Sequence, residues 1–159
     1  MKSKWESLKK ILGGELKGIC ANQLHAQQNK TDFIFNTVEP VLYIKNNGLI
    51  TYWKVDWGET MEADDYLLLN EQSTPEPVEY ETKENSHYRH ILGGSGIEVQ
   101  QKTIQNISGY GFKDRDDTFL TTLLLELEEV YICIKAGPVL QIVISNEACD
   151  ELPDVIFST

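Results

Sequence analysis

An α+β fold, mainly antiparallel sheet with one or two N-terminal helices packed on it, follows from three observations. Helical periodicity is confined to the first 28 residues. Runs rich in β-branched and aromatic residues fill most of the rest. Between two of those runs stands Asn47-Gly48, the pair that supplies the positive φ angles of a tight hairpin turn. The 159 residues suit one domain, long enough for a hydrophobic core without disulfides or a structural metal. Within it the sequence marks a helical segment over 1–28 and an acidic loop or excursion over 70–90.

The first helix is expected over 3–12, "SKWESLKKIL". Trp5, Leu8, Ile11 and Leu12 share one helical face, and Ser3 with Glu6 has the spacing of a capping box. Gly13-Gly14 is its stop. A second short amphipathic segment is expected over Leu16–Gln27. Strands then begin: "TDFIFNTV" alternates loosely, and "VLYIKNNGLITYWKV" reads as a hairpin about Asn47-Gly48. The stretch "EQSTPEPVEYETKENSHYRH" is acidic, holds Pro75 and Pro77, and reads as a long exposed loop between two halves of a sheet. "IEVQQKTIQNISGYGF" adds one or two strands, with Gly109 and Gly111 suggesting a bend or bulge. Three further strands close the chain, "TFLTTLLLELE", "VYICIKA" and "PVLQIVIS". Breaks fall near Glu128-Glu129 and at Ala136-Gly137-Pro138.

Charge narrows the function classes. The net charge is −11, and it is unevenly spread. From Asp56 to Glu84 ten acidic residues face Lys83 alone, a local charge of −9. Such a surface repels nucleic acid and anionic membrane and favours basic partners. No stretch reaches the roughly 18 apolar residues of a membrane span. The basic start lacks a signal peptide's apolar run because Glu6, Lys9 and Lys10 interrupt it. The expected location is the cytoplasm. Cys20, Cys133 and Cys149 are widely spaced and odd in number, which argues against a disulfide framework or a zinc site.

Two segments compete as sites. Trp53 and Trp57 lie four apart in a predicted strand, hence on one face, where the acidic run begins. With Asp56, Glu59, Glu62, Asp64, Asp65 and Tyr66 they compose an aromatic anchor within an acid rim, the makeup of a protein-docking surface for a basic partner. The bland reading puts both tryptophans in the core. The second segment, "HYRHILGGSGIEV", offers His87, Arg89, His90 and Ser95 to a small ligand. His87-x-x-His90 has helical spacing for one metal face, but no third ligand follows, so no metal is expected. Gly93-Gly94-Ser95-Gly96 leads into a strand rather than opening a helix, the wrong context for a phosphate cradle. Asp114-Arg115-Asp116-Asp117 fails the calcium-loop pattern, because the sixth and twelfth positions are Phe119 and Leu125. No nucleophile elbow or other catalytic signature stands out, and no cofactor is implied.

The profile is that of a non-catalytic binding protein. By class-level analogy it suits a bacterial-type immunity or inhibitor protein, which meets a basic toxin with acidic patch and aromatic anchors. The alternatives are a ligand-binding protein or enzyme with its site at 84–96, and an oligomerisation module pairing through its C-terminal strands.

Overall fold

The computed structural model describes residues 6–29, 32–82, 89–149 and 152–159. Its architecture corrects the expected α+β class: the described residues form an almost entirely antiparallel β structure. A single helical segment, 6–11, precedes the strands, and its Lys9–Ile11 part is a 3₁₀ turn. Leu8 and Ile11 are buried at 1% and 2% exposure, so the expected apolar face exists over one turn. Ser3 and Trp5 lie outside the described residues.

The second helix is instead β1 (Glu15–Ala21) and β2 (Leu24–Asn29). A register shift between Leu16 and Gly18 explains the misreading. One extra residue in a strand of period two places Leu16 and Ile19, three apart, on the same buried face, and three is also a helical spacing. β3 (Asp32–Thr37) follows, then the hairpin of β4 (Val41–Asn46) and β5 (Leu49–Glu59). Asn47 and Gly48 carry φ of 51° and 80° between them, as the Asn-Gly pair requires. β6 (Asp65–Gln72) completes this half.

The acidic excursion contains structure of its own. β7 (Tyr80–Thr82) and β8 (Arg89–Ile91) form a separate two-stranded sheet. β9 (Ser95–Asp114) is one 20-residue strand, followed by β10 (Asp117–Leu127), β11 (Val130–Lys135), β12 (Leu140–Ser145) and β13 (Asp154–Ser158). The strand order of the large sheet is β2-β3-β12-β11-β10-β9-β1-β4-β5-β6, with β13 added against β9.

β9 is the corner of the fold. Its first part pairs with β1 and its second with β10, and the registers shift on both sides of the change. Such bulges bend a strand and let it serve two sheets. The two halves face each other across one core that joins Leu42, Ile44, Trp53 and Val55 to Ile107, Leu123, Leu125, Ile132 and Ile142. The other face of the β1–β4–β5 half carries a second cluster: Cys20, Val41, Tyr43 and Tyr52, covered by Val78 from the acidic excursion. Covered on both faces, β4 is buried at Val41, Leu42, Tyr43 and Ile44 in succession.

Candidate functional site

The β5–β6 turn lies at the centre of the predicted acid rim, and its backbone is closed on itself. Thr60 N–H donates to the carbonyl of Asp64 at 2.9 Å, and Asp64 N–H donates to the Thr60 hydroxyl oxygen at 3.1 Å. Ala63 N–H reaches the Thr60 carbonyl at 3.0 Å, and Ala63 takes the left-handed φ of 64° that closes the turn. The side chains therefore point outward from a defined loop. Glu59, Glu62 and Asp64 are exposed, while Asp56 and Asp65 are half-buried. Asp56 turns one carboxylate oxygen to the N–H of Trp57 at 2.8 Å, so part of its acceptor capacity is used locally.

The aromatic anchors are placed differently from the acids. Trp53 and Trp57 do share a face, and it is the core face. Trp53 is 2% exposed, and Trp57, half-buried, packs against the same cluster. Trp53 thus leaves the docking surface. Tyr66 is half-buried over Gly58, with its ring centroid 5.1 Å from that of Phe119, which stacks on Phe112. Its ring is held by the fold, and its edge borders the rim. The residue that sequence reasoning missed is Met61, fully exposed at the tip of the turn between Glu59 and Asp64. A lone methionine in an acidic run carries no periodic signal, so only the closed turn reveals it as a protruding apolar side chain.

The second segment is described only in part. His87 lies outside the described residues; Arg89 and His90 are placed by backbone in β8, and Ser95 is exposed at the start of β9. One of its glycines has a packing role. Gly94 has φ of 76°, and a Cβ there would strike the carbonyl oxygen of Ala21 where β9 begins to pair with β1. A half-open cavity of about 410 Å³ does lie beside β8, lined by Lys17, Cys20, Tyr43, Ile91, Ile97 and Glu98 among others. Ser95 is not part of its lining. Among the described residues no group of three or more His, Cys, Asp or Glu side chains is arranged to hold a metal.

Cys20 and Cys133 are buried and Cys149 is half-buried. Burial pushes the Cys20 thiol up to about 11, and its Sγ–H donates to the Val41 carbonyl at 3.7 Å. Cys133 is raised first by a hydrogen bond with the Cys149 side chain and then by burial. Thiols held neutral in this way are poor nucleophiles.

No family model, curated protein or solved structure matches the chain. No helix among the described residues is long and apolar enough to cross a membrane.

Proposed function

We propose that this chain is a non-catalytic binding protein that captures a basic protein partner with the end of its β5–β6 hairpin. The observation that carries the reading is Met61, fully exposed on a hydrogen-bonded turn and flanked by the exposed carboxylates of Glu59, Glu62 and Asp64. Methionine is an adaptable apolar contact enriched at interfaces. Carboxylates around it raise the encounter rate with a basic surface and set orientation. A preformed loop also loses little conformational freedom on docking. Asp56, Asp65 and the edges of Trp57 and Tyr66 border the same end of the hairpin.

The test is paired capture from the native cell, with wild type and the D64K/D65K double variant as baits. The expected outcome is a basic protein held by the wild type and lost from the variant. With that partner purified, charge reversal should slow association about tenfold or more at low salt and flatten its salt dependence. Met61→Ser should raise the dissociation rate instead. Identical captures by both baits, or an association rate indifferent to the reversal, would defeat the proposal.

A further inference from the structure

Along part of the corner strand β9 one edge has no partner strand among the described residues. β10 and β13 both pair with residues 108–111, so they occupy its opposite edges. Gly13 N–H donates to the Ile104 carbonyl at 2.9 Å, and Ile104 N–H donates to the Gly14 carbonyl at 2.8 Å, while Leu127 faces Ile104 from β10. Residue 14 therefore lies on the β13 edge, and β1 continues along it from Glu15 opposite Thr103. β10 stops at Leu127. Over residues 95–103 no strand among the described residues pairs with the remaining edge, and here the two halves of the structure part.

The space opened by that parting is a half-open cavity of about 420 Å³. Phe33 and Phe35 of β3 line one side with Val130 of β11 and Ile144 of β12. Ile97 and Val99 of β9 line the other. Phe33 is 47% exposed at the mouth, while Phe35 and Val99 are buried at 8% and 9%. Two polar residues complete the lining, Lys102 and Glu98. Lys102 is half-buried, and its Nζ donates to the carbonyl of Glu128 in the β10–β11 turn at 3.1 Å. An ammonium carries three donors, and that carbonyl takes one. Glu98 is exposed, so solvent screens its charge more than that of Lys102.

We infer that this cavity binds a single-chain amphiphile with an anionic head group, its alkyl chain among the apolar side chains and its carboxylate on the Lys102 ammonium. The volume lies within the range of small-ligand pockets. It holds about a dozen groups the size of a water molecule or a methylene, at ~30 Å³ each. A mostly apolar wall with a single lysine in it suits a ligand with one charged end. The exposed ring of Phe33 is surface that an alkyl chain would cover. The site is separate from the acidic hairpin and independent of the function proposed for it.

Dodecanoate is the probe, titrated by calorimetry into the full chain below the concentration at which it forms micelles. Saturable one-to-one binding is expected, and dodecanol, with no charge, should bind at least tenfold more weakly. Ile144→Trp fills the cavity and should abolish binding of both. Lys102→Gln should cost dodecanoate about tenfold or more while leaving dodecanol unchanged. Phe33→Ala, at an exposed position that does not endanger folding, should weaken both ligands. Circular dichroism of each variant separates loss of binding from loss of fold. Absence of saturable binding, equal affinity for the alcohol, or dodecanoate binding indifferent to both Lys102→Gln and Phe33→Ala would overturn the inference.

Discussion

Gly111→Ala tests the corner of the fold with a single methyl group. Gly111 pairs with Leu120 of β10 on one edge and Asp154 of β13 on the other. A Cβ built there overlaps the carbonyl oxygen of Phe119 and stands 2.6 Å from Ile156 Cδ1 and 2.9 Å from the Phe119 carbonyl carbon. Ile156 is a side chain and can move, but the Phe119 carbonyl is backbone within the β9–β10 pair. Relieving the overlap means shifting one strand past its neighbour. Overpacking of a tight site costs about 1–3 kcal/mol, and a backbone obstacle puts this case near 3 kcal/mol. For a chain of this size that lowers the thermal midpoint by about 6–12 °C. Gly109→Ala meets Phe157 and Leu120, side chains rather than backbone, and should cost less. Gly48→Ala provides the conformational control: nothing lies within 4 Å, and only the φ of 80° penalises it, by about 1–2 kcal/mol. Urea titration followed by circular dichroism measures all three. The expected order of loss is Gly111, then Gly109 and Gly48. A Gly111→Ala variant as stable as Gly48→Ala would refute the claim that β9 is clamped between β10 and β13.

Trp53→Phe should cost less than the ~3–5 kcal/mol of Trp→Ala, because the lost volume is partly offset by removing an indole N–H that has no acceptor among the described residues; a loss equal to that of Trp53→Ala in urea titration would count against this. The Cys20 thiol is raised to about 11 from 9.0, so the unfolded chain gives up this proton first as pH rises. Stability from this thiol is complete below pH 9, is lost between 9 and 11, and amounts to roughly 2–3 kcal/mol. Cys20→Ala should flatten the wild-type decline over that window, and parallel pH profiles would refute the assignment.

The C-terminal half was legible because its signals are local. The strands at 117–127, 130–135 and 140–145 each show a β-branched, apolar run bounded by turn residues, and Glu129 takes the left-handed φ of 61° at the first break. The hairpin at Asn47-Gly48 was legible for the same reason. What failed was non-local. The bulge beside Gly18 exists because β1 is held between β4 and β9, and without those partners Leu16 and Ile19 carry the spacing of a helix. The acidic excursion looked like an exposed loop because one valine and two prolines do not announce a buried contact. Val78 is nonetheless 1% exposed against Tyr43 and Tyr52. For the tryptophans, alternation gave a shared face, but which face is buried depends on strands distant in the chain. The same holds for the cavity: Phe33, Phe35 and Ile144 line it only because β9 diverges from β10 at Leu127.

The two proposed sites should be thermodynamically independent. The acidic turn adjoins Tyr66, which packs on Phe119 near the start of β10, whereas Lys102 is bonded to Glu128 just past its end. Nine residues of chain at ~3.3 Å each separate those landmarks by about 30 Å. A pair of unit charges that far apart interacts by about 0.1 kcal/mol in water before screening. At 0.1 M salt the Debye length is ~10 Å, which reduces this to about a hundredth of a kcal/mol. D64K/D65K changes the charge by four units, and even that sum stays below about 0.1 kcal/mol, well under a twofold change in affinity. Dodecanoate affinity measured in the double variant should therefore equal that of the wild type, and Lys102→Gln should leave association with the basic partner unchanged. A coupling larger than twofold in either direction could not be electrostatic. It would mean that β10 shifts as a unit between its two ends, making the hairpin and the cavity parts of one switch.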